Sequence, residues 1–346
     1  MIKRSVFPKS FKEISKHRQF LYGFAALWIM FYHMGSKISG AGLLPLKFFQ
    51  STGAGGVEIF LLLTGFGLYA SLKKDARLGH FYAKRFARVF MPSFILMAII
   101  NVTASQRLVG YLGSITFIGH WLGVGTAWYV CFILTMYLVY PVIFALTNKN
   151  RKVLYAGAAL FMALTFVLEA MPHGPGDTIL RMISRIPVFL VGCAMAPLFE
   201  EDRRLPKWVL PCSIAVTIPA MLLFKMMSVR GFLYSFRAIA YFFYAIDLII
   251  LVSMIAELLS RGTASGFIYR FFAFCGQISL EIYLLFARLR GLFEKLPGFS
   301  AYACGGLKLD IASAICTLIL AVVLQNIAQW IVKAYMYVRI PKPEKE

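Results

Sequence analysis

Acidic side chains and hydrophilic stretches are scarce in this chain of 346 residues. Asp and Glu number 15 against 36 Lys and Arg, and charged residues make up only 15% of the chain, whereas a soluble domain carries about 25%. Hydrophobic residues account for 60%, and the mean hydropathy is +0.74. No hydrophilic block is long enough to fold separately. The composition indicates one integral-membrane domain over residues 1–346, with a short basic segment at 1–19 and a polar tail at 334–346.

Several familiar functional motifs are also missing. Five of the six cysteines lie in apolar runs and no CxxC pair is present, so a disulfide framework is excluded. Neither HExxH nor a cluster of His and Cys occurs, which predicts no metal site. The GAGG sequence at 53–56 lacks the GK of a phosphate-binding loop. Basic residues form short clusters between apolar runs, unlike the aromatic-interleaved stripe of a nucleic-acid binder.

Long apolar runs recur almost to the C-terminus, each of about the length that crosses a bilayer as a helix. The pattern predicts an all-α fold, a polytopic transmembrane helical bundle with about ten spans. We place the spans at 20–37, 54–72, 86–104, 126–147, 153–170, 181–199, 208–227, 238–258, 272–289 and 311–333. With both termini cytoplasmic, the larger share of the Lys and Arg residues lies on the inner side, as the positive-inside rule requires.

Two ionisable residues stand out near the ends of the first two spans. His33 ends the apolar segment LYGFAALWIMFYHMG, and Glu58 follows GAGGV. A polar side chain in hydrocarbon is costly without partners, so both residues are expected to face a protein interior or a wet cavity. We predict that the two meet on the outer side, where Glu58 orients His33 as a general base. Tyr22 lies eleven residues before His33, on nearly the same helix face and about 16 Å away.

Four successive segments carry a family resemblance: LYGFAALWIMFYH, GGVEIFLLLTGF, FYAKRFARVFMPSF and TAWYVCFILTMYLVYP. In this order and spacing they resemble the bacterial integral-membrane acyltransferase 3 family, which transfers acyl groups to extracytoplasmic glycans and related acceptors. SRIPVFLVG and GQISLEIYLLF resemble weaker distal patterns of that family. The resemblance implies a membrane-bound acyltransferase in the bacterial plasma membrane, with acyl-CoA as donor substrate and acetyl-CoA favoured.

The resemblance assigns roles on the first helix. The family's essential histidine falls on His33, whereas its arginine position, eleven residues earlier, falls on Tyr22. A tyrosine cannot supply a fixed positive charge. Either Arg18, one turn lower, supplies that charge by reach, or this member does without it. We assign Arg18 to the residues that bind the acyl-CoA donor and Tyr22 to those that bind substrate.

The resemblance also assigns ligand contacts. The family's basic motif falls on Arg85 and Arg88, with Lys84 beside them, which implies contact with the phosphorylated end of acyl-CoA. The alternative is that these residues only fix topology. Trp128 and Tyr129 match the family's aromatic pair and are predicted to bind substrate, the alternative being an interfacial aromatic belt.

Two functions from different classes follow. The first is transfer of an acyl group, with acetyl favoured, from cytoplasmic acyl-CoA to a hydroxyl of a cell-surface glycan. The second is a polysaccharide or lipid-linked-sugar flippase that uses His33, Glu58, Asp247 and Glu281 as a polar pathway. Arg185, Asp247 and Glu281 are otherwise expected to form structural pairings. The partners expected are the lipid bilayer, acyl-CoA and the acceptor, and the oligomeric state is left open.

Overall fold

The computed structural model describes ten ranges of the chain. These are residues 10–35, 43–103, 108–121, 128–147, 150, 152–169, 177–200, 205–227, 237–296 and 306–339. Every regular element among them is helical, which confirms the all-α prediction. The described residues do not include 1–9 of the basic segment, 340–346 of the polar tail, or Cys304.

Sixteen α-helices follow one another in the described ranges. They are α1 (Phe11–Lys16), α2 (Arg18–His33), α3 (Leu44–Ser51), α4 (Gly56–Lys74), α5 (Leu78–Arg85), α6 (Met91–Thr103), α7 (Leu108–Thr116), α8 (Trp128–Thr147), α9 (Lys152–Glu169), α10 (Asp177–Ile183), α11 (Ile186–Glu200), α12 (Val209–Met227), α13 (Arg237–Arg261), α14 (Thr263–Gln277), α15 (Ser279–Phe293) and α16 (Gly306–Arg339). A π-helical turn, Phe86–Phe90, joins α5 to α6.

Four helical stretches are long and apolar enough to cross a membrane. They are Gly53–Lys74, Trp128–Thr147, Phe243–Arg261 and Gly306–Ala334, and a bent pair of helices raises the number to five. The membrane character of the chain is therefore supported by its helices. The count of ten spans and the cytoplasmic side of both termini stay predictions.

The sequence predicts one uninterrupted helix at 272–289, and this prediction is wrong in one respect. The chain breaks at Ile278, and α14 and α15 meet at 80°. The break releases the Gln277 carbonyl from the helical ladder, and this carbonyl accepts a hydrogen bond from Gln325 at 2.8 Å and another from Arg88. Such side-chain donors make a broken helix tolerable at membrane depth. Apolar periodicity alone did not reveal the break.

Helix α2 is central, because it packs against α4, α14 and α15. Its contact with α14 is a backbone approach at two glycines. A Cβ on Gly23 would lie 1.8 Å from the Phe272 carbonyl oxygen, and one on Gly276 would lie 1.9 Å from that of Gln19. Only glycine fits at such distances. The close approach brings the basic start of α2 beside the break between α14 and α15.

Candidate functional site: a basic pocket at one end of the bundle

A cavity of about 400 Å³ opens where α2, α4, α5, α8 and α15 meet. This volume lies in the range of small-molecule sites. Four cationic side chains line it, Arg18, Lys84, Arg85 and Arg88, and none of its described lining residues is acidic. We call it the basic pocket. The structure thus brings together all four residues that the sequence assigned to the phosphorylated donor.

The local fold of α5 and the π turn positions two of these cations. Arg85 ends α5, where its guanidinium lies 3.9 Å from the centre of the Phe81 ring and donates to the Phe81 carbonyl at 2.9 Å. Arg88 lies in the π turn. Side chains three residues apart on a helix are neighbours, and both arginines line the cavity.

Arg88 also ties the pocket to the helix break. Its Nη1 lies 3.2 Å from Oε1 of Glu281, whose side chain is fully buried, and its Nη2 contacts the Gln277 carbonyl. Among the described residues no carboxylate pairs with Arg18, Lys84 or Arg85. Three cations therefore keep an excess of positive charge in the pocket. The expected structural pairing of Glu281 is confirmed.

Arg18 and Tyr22 face the pocket as a hydrogen-bonded pair. Arg18 Nη2 donates to the Tyr22 hydroxyl at 3.0 Å, and the guanidinium carbon lies 5.4 Å from the ring centres of Tyr22 and Phe66. Gly67 leaves room for it, since a Cβ there would lie 2.1 Å from Arg18 Nη2. The guanidinium is therefore held beside the phenol that stands at the family's arginine position.

Aromatic rings line the deep part of the pocket. Tyr22 stacks on Phe60 with ring centres 5.5 Å apart, Phe60 lies 6.0 Å from Tyr129, and Tyr129 meets Tyr283 edge-on at 5.2 Å. We call these four rings the aromatic floor. Tyr129, predicted as a substrate contact, lies in this floor, so the pocket is charged at its mouth and aromatic at depth.

Glu58 has a different ion-pair partner from the one predicted. Its fully buried carboxylate lies 3.1 Å from Nε of Arg185, which is itself buried, and Arg185 lies over the Trp128 ring at 4.7 Å. A fixed guanidinium compensates a buried carboxylate better than an imidazole near neutral pH. Glu58 and Trp128 therefore form a cluster with Arg185 next to the aromatic floor. The orienting contact between Glu58 and His33 is corrected accordingly.

His33 lies at the other end of α2 from Arg18. It is the last residue of the helix, its side chain is exposed, and its ring meets the Tyr32 ring at 5.1 Å. It does not line the basic pocket. Two residues later the Gly35 N–H donates to the buried Asp310, which also accepts from Arg290 at 2.7 Å. The structure therefore separates His33 from the cations and fixes the backbone just after it.

Sequence reasoning missed several residues of the site. These residues are Tyr137, Thr64, Ser279 and Tyr283, which line the basic pocket. The structural pairing expected of Arg185 is with Glu58. An available signal was the scarcity of ionisable residues in apolar runs, because a buried acid requires a cation elsewhere in the same bundle. Which cation it selects depends on packing of distant helices.

Comparisons with known proteins bear on the whole chain. No curated protein and no solved structure matches it. The model of one family, described as an acyltransferase domain, matches residues 20–326. This range contains the basic pocket except Arg18 and Gln19, together with the aromatic floor and His33. With apolar helices and a match over most of its length, the chain belongs to the acyltransferase 3 family of membrane acyltransferases.

Proposed function

We propose that the protein moves an acyl group, with acetyl favoured, from cytoplasmic acyl-CoA to a hydroxyl of an extracytoplasmic glycan in the bacterial cell envelope. The observation that carries the proposal is the basic pocket, in which three cations that lack a carboxylate partner among the described residues surround a cavity that ends in aromatic rings. Coenzyme A joins a phosphorylated nucleotide to an uncharged pantetheine arm. Its charge distribution therefore matches a basic mouth above an aromatic floor.

We expect the arginines and the lysine to bind the donor's phosphates in different ways. The planar forks of Arg85 and Arg18 suit the diphosphate oxygens, and Lys84 adds a point charge at the mouth. Arg88 is held by Glu281 and Gln277, so it presents a fixed position rather than a free charge. We expect the pantetheine arm to run past Tyr22 and Tyr129 toward the far end of α2.

In the proposed reaction His33 accepts one proton and then donates it. The acceptor hydroxyl attacks the thioester carbonyl, a carbon–oxygen bond forms, and the carbon–sulfur bond breaks. His33 takes the hydroxyl proton and returns it to the departing thiolate, which leaves as free coenzyme A. The exposed ring at the end of α2 is accessible to an acceptor from outside the bundle. Since His33 lies about 16 Å above Tyr22, the thioester must travel beyond the aromatic floor to reach it.

The test uses purified protein in lipid nanodiscs with acetyl-CoA, glycan acceptors and a thiol-detecting reagent. Wild type should release thiol only with a suitable acceptor. His33→Ala should reduce release at least a hundredfold, the usual worth of a general base, while acetyl-CoA binding stays within twofold. Arg85→Ala should instead weaken donor binding about tenfold.

Arg261→Ala supplies the matched control, because Arg261 pairs with Glu257 at 3.0 Å and does not line the pocket. Its donor affinity should equal that of wild type. Full acyl transfer by a folded His33→Ala protein would refute the role of His33. Donor binding that ignores Arg85 and Lys84 alike would refute the pocket as the donor site.

The flippase hypothesis finds no favourable observation. In the described ranges its acids each have a partner in the protein, with Glu58 on Arg185, Glu281 on Arg88 and Asp247 on Thr217. Acids that are paired in this way do not by themselves indicate a transport pathway. We therefore develop the acyltransferase proposal alone.

A further inference from the structure

A second cavity, of about 410 Å³, lies beside the basic pocket. Ser71 and Lys74 from the end of α4, Asp75 and Arg77 from the following turn, and Lys84 from α5 line it. Lys84 also lines the basic pocket, so the two cavities meet at this side chain. We call the second cavity the lysine groove. None of the site residues assigned from the sequence, other than Lys84, lies in it.

The charges of the groove are unevenly compensated. Asp75 is occupied by two neighbours, since it accepts from Arg77 at 2.9 and 3.0 Å and contacts His80 Nδ1 at 3.0 Å. These contacts hold the pKa of the Asp75 carboxyl well below its usual range. Among the described residues neither Lys74 nor Lys84 has a carboxylate partner. Beside the Asp75–Arg77 pair, two ammonium groups without a carboxylate partner and the Ser71 hydroxyl therefore line one cavity.

Such a cavity favours a phosphate monoester over other anions. A monoester carries about −1.5 to −2 charges at neutral pH and presents three acceptor oxygens, whereas a phosphodiester carries one charge. Lysine binds phosphate as a point charge, and two lysines compensate a dianion. Because Lys84 joins the groove to the basic pocket, a single ligand with two phosphorylated parts can occupy both cavities.

We propose that the lysine groove binds the 3′-phosphate of the coenzyme A nucleotide, with Lys74 and Lys84 as its charge partners, while the basic pocket holds the diphosphate and pantetheine. This inference rests on the proposed function for the identity of the donor. It adds a subsite and a reason for the protein to distinguish coenzyme A from other adenine nucleotides. Lys74 is its specificity-determining residue.

The experiment compares coenzyme A with 3′-dephospho-coenzyme A by equilibrium binding to purified protein in zwitterionic nanodiscs. Wild type should bind coenzyme A about fivefold more tightly, a modest ratio because an exposed ion pair contributes about 1 kcal/mol at most. Lys74→Ala should bring the ratio below twofold by weakening coenzyme A alone, and Lys74→Arg should preserve it. The matched control is Lys73→Ala, because Lys73 lies over the Tyr69 ring and does not line the groove.

Two other results would overturn the inference. Equal binding of both ligands to wild type, or an equal loss for both in Lys74→Ala, would remove the 3′-phosphate from the groove. An anionic-lipid arm separates the remaining phosphate source: if Lys74→Ala leaves the ratio unchanged but lowers the retention of phosphatidylglycerol by the purified protein, the groove binds lipid headgroups. Binding without thiol release would contradict the proposed transfer while leaving the subsite intact, so the two failures are distinguishable.

Discussion

Arg18 and Tyr22 show how the residue that supplies a positive charge can lie one turn away from the family's position. The family's arginine position falls on Tyr22, yet the guanidinium of Arg18, one turn earlier, hydrogen-bonds the Tyr22 hydroxyl at 3.0 Å inside the basic pocket. Side chains four residues apart on a helix are neighbours, so a charge can move by one turn and still reach the same cavity. The geometry favours the interpretation that Arg18 supplies the family's charge.

A rescue experiment tests this interpretation. Arg18→Ala should weaken donor binding about tenfold, because a charge-assisted contact is lost. Adding Tyr22→Arg to that variant should restore binding to within threefold of wild type. Tyr22→Phe provides the control, since it keeps the ring and removes only the hydroxyl. If Tyr22→Arg fails to rescue a folded Arg18→Ala protein, the two positions are not equivalent.

Glu58 and Arg185 form a buried ion pair in which each charge compensates the other. Removing either charge leaves the other buried and uncompensated, which costs about 3 kcal/mol. We expect Glu58→Ala and Arg185→Ala each to lower the thermal midpoint of unfolding in detergent. The double variant Glu58→Leu/Arg185→Met should unfold at a higher temperature than either single variant.

The same cycle distinguishes two roles for Glu58. Coupling of at least 1 kcal/mol between the two positions identifies the ion pair as structural. If Glu58→Gln instead lowers transfer a hundredfold with an unchanged unfolding temperature and no coupling to Arg185, Glu58 acts in transfer and the pair is not structural.

At the scale of helices, the contact between α2 and α14 controls the shape of the pocket. Gly276 lies beside the helix break and lines the basic pocket, while its Cα faces the Gln19 carbonyl. We expect Gly276→Ala to push the helices apart, cost about 2 kcal/mol of stability and weaken donor binding. Thermal unfolding and equilibrium binding measure the two effects.

Gly266→Ala is the matched control on the same helix. A Cβ at Gly266 would meet nothing within 4 Å, so this substitution should stabilise α14 by about 1 kcal/mol. Equal behaviour of the two variants would show that the glycine contact does not shape the site.

At this scale the sequence predicted where helices occur, but it did not predict where they break. In the run 272–289, Gly276, Gln277 and Ser279 flank Ile278 and are a weak local signal of a kink, but they do not predict an 80° bend. The break depends on hydrogen bonds from Arg88 and Gln325 to the Gln277 carbonyl. These donors are 189 and 48 residues away in sequence, and only the folded chain brings them to one atom.

At the scale of the molecule, the proposal requires the pocket and His33 to lie at opposite membrane faces. Gly79 lies near the basic pocket and Gly291 near the far end of α15, and a Cβ at either glycine would meet nothing within 4 Å. In a background without native cysteines, Gly291→Cys should react with an impermeant maleimide in intact spheroplasts. Gly79→Cys should react only in inverted vesicles. The reverse pattern would place the basic pocket outside and contradict a cytoplasmic donor.

The sequence by itself determined that this protein lies in lipid, that its fold is helical, and which family it resembles. Apolar runs with few charges require lipid and internally satisfied backbones, and the order of the motifs indicated the acyltransferase resemblance that the family match over residues 20–326 confirms. The resemblance also assigned Arg85 and Arg88 to the donor, and both side chains line the basic pocket.

Only the tertiary structure decided which of these residues meet. It joined Arg18 with Lys84, paired Glu58 with Arg185 instead of His33, and opened the lysine groove beside the basic pocket. The physical reason is that the partner of a buried charge is selected by distance, and distances between helices are fixed by contacts such as Gly23 against Phe272 that carry no sequence-local signal.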